Sequence, residues 1–326
     1  MTTATNWRAT AAATPRGKRG RKIGPAWLLV PSVILLSIFV YLFIGVVGYT
    51  SLSNWQVSGA PDLSLAKPLG STYKQLFTDF QFQSDLRNIV VFVVLILICV
   101  TVLGMGSALA LYHLTVGRNT LRSIMLLPYS LSFIVTGTVW RWIFSPGTGV
   151  NQILEHLGMK NPPLWASDST VIPGLTLPGS SVQIQLGIPV AILPLVFAAA
   201  WQLYGYSMAI YLAGLSSIGT ETIEAASVDG ASRFRTIRSV IIPQLRSSTV
   251  TNVVIMFGVA IQIFDLVVSM TGAGAAYSTD MPSLFIYNYF GSSYNVSAAA
   301  SFVLLLITMA VMLPYLILNY RKPKGR

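Results

Sequence analysis

The residues best placed to do chemistry are few. Asp265 is the only acid well inside an apolar run, and a carboxylate in lipid is costly enough to need a job. Two roles fit it, a hydrogen-bonded packing residue or a direct contact to a polar solute. Gln262 lies three residues earlier and shares its helical face if the helix is continuous. Trp201, Gln202, Tyr204 and Tyr206 combine aromatic rings with an amide. That mixture suits a ligand with one apolar face and a rim of hydroxyls, and it serves packing or an interfacial position equally well. Trp140 and Trp142 flank Arg141, an arrangement read as a membrane-interface belt. No run offers paired acids, a histidine cluster or a nucleophile beside a base, which argues against a membrane-embedded enzyme. His113 and His156 lack ligand spacing, and Cys99 is the single cysteine, so neither a metal cluster nor an intrachain disulfide is expected. The stretch GLTLPGSS, 174–181, has nucleotide-loop-like glycine spacing but no lysine.

The elements that must position these groups follow from composition. The 326 residues are 53% hydrophobic and 10% charged, with a mean hydropathy of +0.66. Soluble domains carry roughly 25% charge, so this chain reads as all-α and polytopic. Apolar runs predict six transmembrane helices near 26–49, 88–111, 121–144, 188–212, 250–270 and 298–318. The first run is too long for a cleaved signal segment and is read as retained. Sixteen of the 21 Lys and Arg residues fall in the two tails and two of the connecting segments, which puts both termini on the cytoplasmic side. The net charge of +11 is therefore topogenic and faces membrane lipid; it lacks the aromatic–basic interleaving that nucleic acid requires. Residues 1–25 and 321–326 are read as basic cytoplasmic tails, the first disordered, around a single membrane domain over 26–320. The connections 50–87 and 145–187, rich in Pro, Gly, Ser and Asn, are read as loops.

One segment breaks the apolar pattern. Between 221 and 246 stand Glu221, Glu224, Asp229, Arg233, Arg235, Arg238 and Arg246. Phe234, Ile237 and Ile241 recur at helical spacing and predict an apolar stripe that ties the segment to the spans. Ala225 and Ala226 leave a thin surface that another backbone can approach. Gly230 permits a sharp bend, Asp229 can pair with Arg233 or cap a helix end, and Pro243 marks re-entry into the next span. The expectation is helix–bend–helix along the membrane surface.

The order of residues carries a resemblance. Glu224, Ala225 and Ala226 are followed after three residues by Gly230, and nine residues later by Val240-Ile241-Ile242-Pro243. This resembles the EAA loop of permease subunits of binding-protein-dependent ATP-binding-cassette (ABC) importers, departing by Val for Ile and Ile for Leu. Residues 122–154 and 264–290 are similar to the carbohydrate branch. There, Thr271-Gly272-Ala273-Gly274-Ala275 stands where that branch usually has Thr-Gly-Gly-Gly-Pro. The resemblance spans about 27–321. It looks closest to the first permease of maltose, trehalose or glycerol-3-phosphate systems.

It implies the type I importer permease fold, with the EAA coupling loop over 215–247, in a bacterial inner membrane. It also implies a second homologous permease as heterodimer partner, two ATPase subunits and an external substrate-binding (lipo)protein. ATP and Mg are then used by the partner ATPase, and this chain binds no cofactor and is not itself an enzyme. Glu224, Ala225, Ala226, Asp229, Gly230, Arg233, Arg235, Arg238 and Pro243 form the ATPase-coupling set. Trp201, Gln202, Tyr204, Gln262 and Asp265 are the substrate-path set. A permease for a non-sugar solute stays open as an alternative, as does an ion-coupled carrier or channel, although no internal repeat is visible.

Overall fold

A computed structural model describes residues 29–56, 60–176, 178–179 and 181–320. The tails read at 1–25 and 321–326 lie outside these described residues. The chain forms two compact units, Met1–Val46 and Val47–Arg326. Helix α1, Val30–Thr50, begins in the first unit and runs past its end at Val46; no residue between Val30 and Leu42 is buried. A helix apolar on every side with no face to hide is built to lie in hydrocarbon.

The second unit is organised around two long helices. After the short α2, Ser71–Thr78, comes α3, Phe80–Tyr112, whose 33 residues extend about 50 Å. Asp79 caps it by accepting a bond from the Phe82 N–H at 3.0 Å. Its partner α7, Ile192–Ser216, crosses it closely enough that a Cβ on Gly104 would come within 2.5 Å of the Ser207 Cβ. Lipid tails are as apolar as leucine, so close approach at small residues, here Gly104, Ala108, Ala199, Ala200 and Ser207, is what holds such helices together.

Between them lie α4, Arg118–Ser130, then α5, Phe133–Ile143, and α6, Gly149–His156. The loop reading of 145–187 needs correction, and with it the purely all-α reading. Val171–Leu175 (β1) and Leu186–Pro189 (β2) form an antiparallel hairpin with a register shift between Pro173 and Leu175. Gly174 and Gly187 take positive φ there, and a Cβ on Gly187 would lie 2.5 Å from the Ile172 carbonyl oxygen. The fourth span therefore begins at Ile192 rather than 188, because Pro189 ends a strand.

After α7 come α8, Thr220–Val228; α9, Arg233–Gln244; α10, Arg246–Ile261; α11, Asp265–Met270; α12, Pro282–Tyr289; and α13, Tyr294–Tyr320. Among the described residues, four helices are long and apolar enough to cross a membrane, or up to six if each bent pair counts as one span. The bent pairs are α4/α5, at 93°, and α9/α10, at 62°.

Both breaks inside expected spans are supported by a side chain. Pro128 sits in the last turn of α4, and Ser132 starts α5 by accepting from the Val135 N–H. The Leu131 carbonyl freed at that break accepts a bond from Gln202 Nε2 at 2.7 Å. At the break between α10 and α11 the Ile263 carbonyl accepts from Ser283 Oγ at 2.6 Å. A broken helix survives in an apolar setting only when neighbours satisfy the freed backbone in this way.

Candidate functional site

The charged segment folds as helix–bend–helix, and its bend has a definite cause. Helix α8 closes with Gly230 N–H donating to the Ser227 carbonyl and Ala231 N–H to the Ala226 carbonyl. This is the Schellman pattern, which places its closing residue in the left-handed region, and Gly230 has φ +75°. Ser232 then caps α9, its Oγ accepting from the Arg235 N–H. Residues 237–241 wind as a wide π-turn just before Pro243, whose missing N–H cannot continue the ladder.

Glu224, Ala225, Asp229, Gly230, Arg233, Arg235, Arg238 and Pro243 are all exposed, and Ala226 is half-buried. Of the two roles open to Asp229, the structure has the helix-end one: it stands at the C-cap of α8 and makes no ion pair with Arg233 among the described residues, because the helix ends between them. One expectation fails here. Phe234 does not join the inward stripe: it is 72% exposed, and Thr236 faces inward in its place. At the end of α8, Val228 is 87% exposed. Both large apolar side chains are thus left uncovered in a segment that also carries six charged residues. The sequence signal was available, since Phe234 lies between Arg233 and Arg235 where a buried ring would drag charge inward.

The segment is bolted down from below. Ile241 and Leu245 are buried against Leu111 of α3 and Met208, Tyr211 and Leu215 of α7, with Ile223 and Ile237 packed at the edge. Tyr211 Oη donates to Thr249 Oγ1 at 3.2 Å. A Cβ on Gly214 would fall 2.2 Å from Ser248 Oγ, so α7 and the start of α10 are in direct contact. The charged segment is thereby packed against both long helices.

The second set of residues is divided among different places. Trp201 and Tyr204, one turn apart on α7, line an apolar cavity of 460 Å³ against α3, together with Cys99, Leu103 and Phe197. Gln202 points the other way, is 2% exposed, and holds the Leu131 carbonyl described above. Gln262 and Asp265 are exposed at the α10/α11 break, and neither side chain has a hydrogen-bond partner among the described residues. Because the helix is interrupted at 262–264, they do not share one continuous face. No hydrogen bond or ring contact joins them to Trp201 or Tyr204. Trp140 packs among Phe144, Phe197 and Trp201, with ring centres 5.0–5.7 Å away, while Trp142 is 64% exposed.

Asp265 is also not the deepest acid. Asp85 on α3 and Asp280 in the loop before α12 are both 0% exposed. Sequence reasoning missed Asp85 because the polar stretch 80–87 reads as loop. In the fold it is the first two turns of α3, with Gln83 Nε2 donating to the Phe77 and Ser181 carbonyls.

With this geometry in view, residues 101–322 match the family described as binding-protein-dependent transport system inner membrane component. The chain belongs to this family. It is a multi-pass permease subunit, the non-enzymatic part of systems in which separate subunits hydrolyse ATP. The permease is 32% identical to a xylose/arabinose import permease of Haloferax volcanii, over 89% of this chain and 86% of that one. It is 27% identical to a glucose import system permease of Saccharolobus solfataricus, over 92% and 98%. Its fold matches a solved bacterial ABC transporter for import of the acidic polysaccharide alginate. That match has a TM-score of 0.70 and 20% identity, covering 92% of this permease and 96% of that chain.

Proposed function

We propose that this permease is the membrane-spanning subunit of an ATP-driven importer for a sugar or a closely related polyol or sugar phosphate. It spans the cytoplasmic membrane of a prokaryotic cell six times with both termini inside. It works beside a second homologous permease, two ATPase subunits and an external solute-binding protein. The reading of 26–320 as one working domain, with its coupling loop over 215–247, belongs to the same proposal.

The observation that carries this reading is the exposed helix–bend–helix seated on the ends of α3 and α7. Glu224, Ala225 and Ala226 offer the ATPase a thin, acidic helix face. Val228 and Phe234 give it apolar anchors, and Arg233, Arg235 and Arg238 give it charge. Gly230 and Pro243 set the angles at which α8 and α9 meet the membrane helices. Closure of the ATPase pair moves this unit, and the contacts through Ile241 and Leu245 pass the movement to α3 and α7. The carbohydrate class is supported by the xylose/arabinose and glucose permeases among the relatives. It is supported too by the aromatic wall of Trp201 and Tyr204, which suits the apolar face of a sugar ring. Gln262 and Asp265, exposed at a helix break with free polar atoms, are the groups left to meet hydroxyls once the second permease encloses the path.

The test is to purify the complex from native membranes with its binding protein. ATPase stimulation is then measured across pentoses, hexoses, disaccharides and sugar phosphates. Stimulation by one of these supports the assignment. Stimulation by an amino acid or phosphate alone, or solute movement by this chain without any ATPase, overturns it.

A further inference from the structure

Behind the surface offered to the ATPase, the helix–bend–helix encloses a small cleft. It has a volume of 200 Å³ and lies between the end of α3, one face of α8 and the first turns of α9. Tyr112 and His113 line it from α3, Ser227 from α8 and Arg233 from α9, over apolar walls of Ile237 and Ile241. The rings of Tyr112 and His113 meet edge to face, 5.6 Å between centres. Glu224, Ala225, Val228, Arg235 and Arg238 do not line the cleft, so Arg233 is the one arginine of α9 that does. The side chains of Tyr112, His113, Ser227 and Arg233 have no hydrogen-bond or ion-pair partner among the described residues. No carboxylate lines the cleft either.

We infer that this cleft binds one phosphate group, carried by a soluble phosphate compound or by a lipid headgroup. Its lining supplies a guanidinium fork, an imidazole and two hydroxyls from three different elements. A tetrahedral phosphate accepts hydrogen bonds from several directions at once, and arginine matches its paired oxygens. With no acid in the lining, an incoming anion is what neutralises Arg233 there, and a cation finds no ligand. Size narrows the class further. Sites for drug-sized ligands run to about 300–1,000 Å³, so this one holds a phosphate and the first atoms of its ester, and a nucleotide is too large. A phosphate held here bridges the end of α3 to both helices of the charged segment and stiffens the joint between them. That consequence rests on the coupling role proposed above; the binding itself does not.

The chain has two histidines, which give a local readout: His113 in the cleft and His156 at the end of α6, both exposed. The assembled complex, in phosphate-free detergent at constant ionic strength, is treated with diethyl pyrocarbonate. Carbethoxylation of each histidine is followed by peptide mass spectrometry. Inorganic phosphate, glycerol phosphate and short-chain phosphatidylglycerol are added in separate arms. The expected result is saturable protection of His113, with His156 modified at its original rate. Protection by the soluble compounds assigns the site to a phosphate metabolite, and protection by phosphatidylglycerol alone assigns it to a headgroup. Arg233→Gln should weaken the protecting compound about tenfold, through loss of a hydrogen bond to a charged group. Ser227→Ala, which leaves every charge in place, should weaken it about fivefold. Arg238→Gln removes the same charge outside the cleft and should change nothing. The inference is overturned if no arm protects His113, or if His156 is protected equally. It is overturned too by protection that survives Arg233→Gln and Ser227→Ala, or that falls as far in Arg238→Gln. A His113 already unreactive before phosphate is added would show the cleft covered by the ATPase, and would also overturn it. The readout needs neither transport nor ATP turnover, so its failure is distinct from failure of the importer assignment.

Discussion

Two polar interruptions of an apolar chain have opposite fates. In the segment from Thr220 to Leu245, none of the six charged side chains is buried, and the backbone is satisfied by its own caps at Gly230 and Ser232. Where α3 begins, Asp85 and Asn88 are 0% exposed, and Asn88 finds its partners 189 and 192 residues away. Local self-sufficiency leaves the first segment's side chains free for another molecule. Dependence on distant partners makes the second a brace inside the fold. Substitutions in the first should therefore uncouple the permease without unfolding it, and substitutions in the second should unfold it.

The largest expected effect is at the bend. Gly230→Val places a β-branched side chain at φ +75°, although its Cβ meets nothing within 4 Å. The local cost is about 1–2 kcal/mol, but the angle between α8 and α9 is lost. ATP-driven uptake should be abolished while membrane insertion, checked by yield and gel filtration in detergent, is retained.

Asn88→Leu should have the reverse signature. It strips the Tyr277 and Asp280 carbonyls of their donor, at about 1–3 kcal/mol for each buried group left unpaired. Thermal unfolding in detergent should shift well below the native midpoint, with uptake falling only in proportion to folded protein. Gln202→Leu is the milder version: one carbonyl at the α4/α5 break loses its bond, so about 1–3 kcal/mol is expected by the same assay. A change in solute preference with no loss of stability would instead give Gln202 a place in the path.

The smallest effect on the permease itself is expected from Phe234→Ala. The ring is 72% exposed, so its removal should leave stability within about 0.5 kcal/mol. Affinity for the ATPase, measured by titration onto nanodisc-held permease, should fall about tenfold if the ring is a docking anchor. Equal affinity would return the docking face to the acidic and small residues alone.

The contrast also explains what could be read in advance. Long apolar runs declare themselves, so the helices that can cross the membrane were legible, and so was the bend, because Gly230 follows a helical stretch and Ser232 opens another. What failed depended on tertiary partners. The first two turns of α3 look like loop until Gln83 and Asn88 are seen to be paired. The breaks at 131–132 and 262–264 lie inside runs read as single spans, and the carbonyls they free are held by Gln202 and Ser283. The hairpin at Val171–Leu175 and Leu186–Pro189 hides behind prolines and glycines that resemble turns. Periodicity placed Phe234 inside, yet the chain turns at 229–232 in a way that presents it outward.

Glu224 gives the most direct trial of the whole reading. Glu224→Lys reverses one charge on an exposed helix face and touches no buried contact. The complex is reconstituted into proteoliposomes with its binding protein and ATP, at matched permease content, and solute uptake is followed against time. Loss of uptake with an unchanged melting temperature is the predicted result. Uptake at the native rate would contradict the assignment of this segment as the surface through which ATP hydrolysis drives the permease.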